Sequence, residues 1–124
     1  MTQVLAVAAG GALGSVLRYG IASGLQALPG RAFPLGTFAV NVIGSLAIGF
    51  LSVWLLERAD HGSALTAGLL VGLLGGFTTF SAFSLETFAL LEAGAWLRAA
   101  CYAALSVVLC VGAAWLGVIA ARQL

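Results

Sequence analysis

Apolar residues run along this chain in four long stretches, near residues 4–28, 35–56, 64–91 and 96–121, with short polar interruptions between them. A helix rises about 1.5 Å per residue, so about 20 apolar residues cross a hydrocarbon core of about 30 Å. Each stretch therefore predicts one transmembrane helix. Strand crossings would alternate polar and apolar positions in pieces of about 10 residues, and these stretches do not. The interruptions, at residues 29–34, 57–63 and around 92–95, are too short for a further domain, so residues 1–124 read as a single four-helix transmembrane domain. The first stretch has no basic leader and is longer than a signal peptide, and it is expected to stay in the mature protein.

Composition narrows the classes. Of 124 residues, 62% are hydrophobic and 7% charged, against about 25% charged in soluble domains. Mean hydropathy is +1.14. A formal charge of +1, with five arginines and no lysine, leaves no basic stripe to neutralise phosphates, which argues against nucleic acid as a partner. Cys101 and Cys110 have no metal-ligand spacing and read as small buried apolar residues. His61, alone in a polar interruption, assembles neither a metal site nor a catalytic set. Four crossings place both termini on one side of the membrane. That side carries Arg58 and Arg122 and the other carries Arg31 and Arg98, so the cationic bias that normally orients a membrane protein is absent. Such a chain can insert both ways, which permits an antiparallel homodimer of one sequence. Gly10 with Gly14, Gly20 with Gly24, and Gly68 with Gly72 and Gly76 are spaced for close helix approach.

Polar residues inside the spans are the candidates for function. Arg18 lies some fifteen residues into the first stretch, where an arginine costs about 2.5–3.5 kcal/mol to insert. It either faces an aqueous vestibule and attracts an anion, or reaches the lipid boundary in a structural role. The face it shares with Gly11 and Gly14 turns it towards protein. Thr37, Asn41 and Ser45 recur every four residues as one polar stripe, suited either to interhelical bonds or to donating to a dehydrated anion. Tyr102, Ser106 and Cys110 repeat that interval in the fourth stretch.

The third stretch holds the most informative run, Gly75 to Ser84. Adjacent glycines followed by two β-branched hydroxyl residues, Thr78 and Thr79, predict a broken helix. A break frees carbonyls on one side and N–H groups on the other, and in a membrane these persist only against protein or around a cavity, commonly with an ion. On a two-fold axis, two carbonyls from each chain would suffice for one small cation. Four of the seven phenylalanines fall between Phe77 and Phe88, and Phe80 and Phe83 share a helical face. Packing is the plain reading; the positive edges of the rings could instead line a dry passage for an anion. Glu86, nearer the end of the stretch, reads either as a solvated interfacial carboxylate or as a gating or vestibule group.

The segments Gly14 to Tyr19, Gly36 to Gly44 and Gly75 to Phe83 resemble the signature segments of the Fluc (CrcB-type) fluoride channels, and the resemblance covers essentially the whole chain. It implies an all-α, multi-pass inner-membrane protein that forms a dual-topology antiparallel homodimer in the lipid bilayer, with two fluoride pores and a central structural Na+. It also implies roles. Phe80 and Phe83 would be the pore phenylalanines, with Asn41 a nearby donor and Arg18 making the vestibule positive. Gly75 and Thr78 would offer backbone carbonyls to sodium, and Thr37, Thr79, Ser81, Tyr102 and Ser106 would supply donors along the path. Cys110 stands where a hydroxyl residue commonly continues the fourth-helix track, and a thiol donates more weakly.

Fluoride is small and strongly hydrated, so a narrow passage must replace its water with amide, hydroxyl and ring-edge contacts without a full charge that would trap it. A small dual-topology proton-coupled multidrug exporter shares the size and the four spans, but needs a membrane-embedded carboxylate. None lies deep in the first, second or fourth stretch, where the buried charge is Arg18. A scaffold subunit would leave Arg18 and the break unexplained, and no nucleophile, base and orienting group can be named for an enzyme.

Overall fold

The computed structural model describes residues 1–28, 33–58 and 63–124, and every regular element among them is helical. Helix α1 spans Thr2–Gln26 and α2 spans Leu35–Arg58. The third crossing is assembled from α3 (Ala64–Thr66), a π-helical stretch (Ala67–Leu74), α4 (Gly75–Phe77) and, after a break, α5 (Phe80–Glu92); α6 spans Trp96–Arg122. Four helical segments are long and apolar enough to cross a membrane. The chain thus adopts the expected all-α architecture with a broken third helix. Arg31, Asp60 and His61 lie outside the described residues.

Local chemistry sets the element ends. Helix α1 stops at Gln26, two residues short of the expected end, because Leu28 precedes Pro29 and the residue before a proline is steered away from helical backbone. Ser63 opens the third crossing, its hydroxyl accepting from the Thr66 N–H at 3.1 Å. Helix α5 ends in a Schellman turn: Gly94 takes φ +71°, the Ala95 N–H bonds to the Leu90 carbonyl at 2.9 Å, and the Gly94 N–H to the Leu91 carbonyl at 3.0 Å.

Two glycine-lined seams hold the helices together. Along the first, α1 meets the π-helical stretch and α4 backbone to backbone. A Cβ on Gly10 would collide with the Gly68 carbonyl, and one on Gly14 with the Leu73 carbonyl. Along the second, α2 and α6 approach as closely, where a Cβ on Gly49 would strike the Ala114 carbonyl and one on Gly117 the Leu46 carbonyl. Small residues let membrane helices gain contact without a hydrophobic drive between them. Gly20 and Gly24, by contrast, have open space around them, so that spacing is not used within the chain.

The buried apolar set is small, including Val40, Leu55, Leu74, Phe77 and Tyr102, while Val4, Val16, Val108, Val111 and Trp115 point outwards. This outward apolar surface suits lipid or a second protein surface rather than water. The expectation that both cysteines are buried is corrected for Cys101, which is exposed, while Cys110 is half-buried. Nine residues at about 100° each put the two thiols on opposite faces of α6, so only one of them can turn towards the protein.

Candidate functional site

The break between α4 and α5 organises the polar groups of the spans. Thr78 and Thr79 are extended, with φ/ψ of −83°/158° and −151°/120°. Asn41 on α2 grips the second of them from both sides: its Nδ2 donates to the Thr79 carbonyl at 2.9 Å and its Oδ1 accepts the Thr79 N–H at 2.8 Å. Thr79 then caps α5, its Oγ1 accepting from the Ala82 N–H at 3.1 Å and sharing a hydrogen bond with the Ser81 hydroxyl at 3.1 Å. On the other side the Thr78 hydroxyl and N–H both donate to the Leu74 carbonyl, at 2.9 and 3.0 Å.

These bonds take up the ordinary i+4 partners of two carbonyls at the break. In an unbroken helix the Gly75 carbonyl would accept from Thr79 N–H and the Thr78 carbonyl from Ala82 N–H. Both donors are committed elsewhere, the first to Asn41 and the second to Thr79 Oγ1. Gly75 and Thr78 therefore each lose their ordinary i+4 partner, and oxygen atoms of this kind at an unwound helix suit a hard cation.

Two recesses meet at the break. The larger, an open cavity of about 340 Å³, is lined by Asn41, Ser45, Phe80, Phe83, Ser106 and Cys110 among others. The Ser106 hydroxyl is buried and has no hydrogen-bond partner among the described residues. The smaller, about 210 Å³, holds Arg18 with Ser15, Tyr19, Ser23, Thr37 and Thr79, and every lining residue but Arg18 is neutral. Thr79 lines both recesses. Arg18 is the one formal charge lining the smaller recess, with the Glu86 carboxylate bonded behind Thr37, while the larger offers hydroxyl, amide, thiol and ring surfaces without a formal charge.

A second cluster lies beside them. The Thr37 hydroxyl donates to Glu86 Oε1 at 2.6 Å, and the Tyr102 hydroxyl donates to Oε2 at 2.7 Å. This half-buried carboxylate ties α2, α5 and α6 together through its two hydrogen bonds, so it is not the merely solvated interfacial group that one reading of the sequence allowed. The Tyr102 ring is fully buried in an aromatic column. Its centroid lies 5.2 Å from Phe33 on one side and 5.2 Å from Phe83 on the other, and the column continues to Phe38 and Phe80.

The structure thus brings Asn41, Phe80, Phe83, Thr79 and Ser106 to one cavity and sets Arg18, Thr37 and Thr79 around the other. Tyr102 sits behind Phe83 with its hydroxyl bound to Glu86, and Ser81 is exposed at the start of α5. The donor hydrogen of Thr37 is spent on Glu86, and Asn41 keeps one N–H beyond its grip on Thr79. Sequence reasoning missed the centrality of Glu86 and the place of Phe33 in the column, because their partners are distant in the chain. The only signal for Glu86 was a lone acid inside a hydrophobic span.

The fold and its polar centre define a multi-pass α-helical membrane protein whose recesses meet at an interrupted helix. The model of the family described as CrcB-like protein, Camphor Resistance (CrcB), matches residues 5–118, and the chain belongs to that family. A Geobacter sulfurreducens relative, named Fluoride-specific ion channel FluC, is 52% identical over 124 residues, covering 100% of both chains. A Coxiella burnetii relative of the same name is 48% identical over 123 residues, covering 98% of this chain and 99% of its own. A third, from Methylococcus capsulatus and also so named, is 49% identical over 122 residues, covering 98% of this chain and 54% of its own.

Proposed function

We propose that this chain forms a fluoride-selective channel that lets the anion leave the cell passively through the inner membrane, as an antiparallel dual-topology homodimer. The observation that carries the reading is the full-length similarity to relatives named fluoride-specific ion channels. The physical arrangement suits it. Arg18 attracts the anion into the smaller recess, where Thr79 lies at the boundary with the larger one. There the free N–H of Asn41, the unpaired hydroxyl of Ser106 and the edges of Phe80 and Phe83 replace lost water with partial charges, which hold an ion weakly enough to release it. The balanced arginines support insertion in both orientations. Nothing in this scheme makes or breaks a covalent bond, so the chain acts as a conduit and not as an enzyme.

The released carbonyls of Gly75 and Thr78 would hold Na+, two from each protomer around a shared axis. The ion would hold the broken helices of the two chains together and add a fixed positive field near the path. Replacing sodium by choline throughout purification should then lower the thermal stability of the dimer, read by size exclusion after heating.

The deciding experiment is fluoride efflux from liposomes, followed with a fluoride electrode. Efflux that stalls until an ionophore dissipates the voltage, with little chloride flux, is the expected result. Efflux that requires a proton gradient would overturn passive conduction and favour a coupled exporter, for which Glu86 is the embedded carboxylate.

A further inference from the structure

The larger cavity contains a free thiol that the conduction scheme leaves unused. Cys110 lines it one helical turn beyond Ser106, on the same face of α6, and shares it with Phe80 and Phe83. Its neighbour is unusual. Ser106 is 7% exposed and its hydroxyl has no partner among the described residues, so a buried donor stands free in the cavity that the thiol also lines. The unpaired hydroxyl gives the cavity a polar group on the same helix face as the thiol, and a thiol attacks a disulfide-type sulfur through its thiolate. The other thiol gives an internal contrast, because Cys101 is exposed on the opposite face of α6, away from the cavity.

We propose that Cys110 is a modification site for small, uncharged disulfide-exchanging electrophiles, and that its modification obstructs the passage between Phe80, Phe83 and Ser106. In the step, Cys110 loses its proton to water and the thiolate attacks the sulfenyl sulfur of the reagent. A new S–S bond forms to Cys110 as the reagent's own sulfur–sulfur bond breaks, and the sulfinate departs with the electron pair. The added methylthio group stands in the cavity of about 340 Å³, in the space between the rings and the free hydroxyl. A thiol reductant reverses the step. The obstruction rests on the conduction reading, whereas the modification itself does not.

The test uses methyl methanethiosulfonate on the protein reconstituted in liposomes, comparing the unaltered chain with C101A, C110S and the double variant. Mass spectrometry of digested protein reads the labelled position, and the fluoride electrode reads flux before and after treatment. Labelling of Cys110 in C101A, with efflux at least several-fold slower and restored by dithiothreitol, is the expected result. C110S should keep its own untreated rate after exposure to the reagent. Absence of label at Cys110 in folded protein would overturn the site, whatever the flux. Label at Cys110 with unchanged efflux would overturn the obstruction. If untreated protein passes no fluoride, the conduction reading and the obstruction that rests on it both fall, and the mass of the labelled peptide still decides the site.

Discussion

The two halves of the third crossing are built by opposite means. Before the break, residues 64–77 lie against α1 with backbones in close contact at glycines on both partners. After it, α5 is held chiefly by side chains: Asn41 and Thr37 reach it from α2, and Tyr102 from α6. The first half has no freedom to shift without separating two helices. The second half gives up close packing, and the gap it leaves is the cavity lined by Phe80 and Phe83. The comparison teaches a division of labour in which a close-packed segment fixes the break and a polar-tethered one presents the chemistry.

The largest effect should come from filling the seam. Gly14→Leu forces a side chain against the Leu73 carbonyl, and overpacking of this kind costs about 1–3 kcal/mol or more. Loss of the folded protein from detergent extracts, read by size exclusion, is the expected outcome. Phe80→Ile and Phe83→Ile act on the other half and should abolish fluoride flux while leaving the particle size unchanged. Full activity in both would remove the rings from the passage. Asn41→Ala strips both bonds from Thr79; each unpaired buried backbone group costs about 1–3 kcal/mol, so the melting temperature should fall sharply.

Smaller still is Tyr102→Phe, which removes one bond to the Glu86 carboxylate, worth about 1.5–3 kcal/mol, while keeping the aromatic column. A thermal shift near zero would show that Thr37 alone satisfies Glu86. The least effect belongs to Gly20→Ala, in open space on α1. Replacing a mid-helix glycine there should stabilise by about 0.5–1 kcal/mol, and a loss of dimer in the same variant would place a second copy against that face.

Most of the fold was legible because the bilayer imposes one ruler on every crossing, and apolar runs of sufficient length can be counted. The break was legible for a similar local reason: Gly75, Gly76, Thr78 and Thr79 stand side by side and disfavour a continuous helix together. What escaped depends on contacts between distant residues. Thr37 meets Glu86 across 49 positions and Asn41 meets Thr79 across 38, and no pattern within either helix announces its partner. The π-helical turns over Ala67–Leu74 escaped as well, since their glycines are equally compatible with an ordinary helix. Cys101 was misread because apolar character in a membrane span does not separate the interior of the protein from the face it turns to lipid.

The tight turn at Gly94 has a consequence for how the chain enters the bilayer. Only three residues separate α5 from α6, so the two helices can insert as one hairpin rather than in succession. Glu86 and Tyr102 sit on facing arms of that hairpin and bond to each other. The acid is thus supplied with a hydrogen-bond donor by the other arm of the hairpin, which lowers the cost of placing that group, the most costly in the third crossing, at membrane depth.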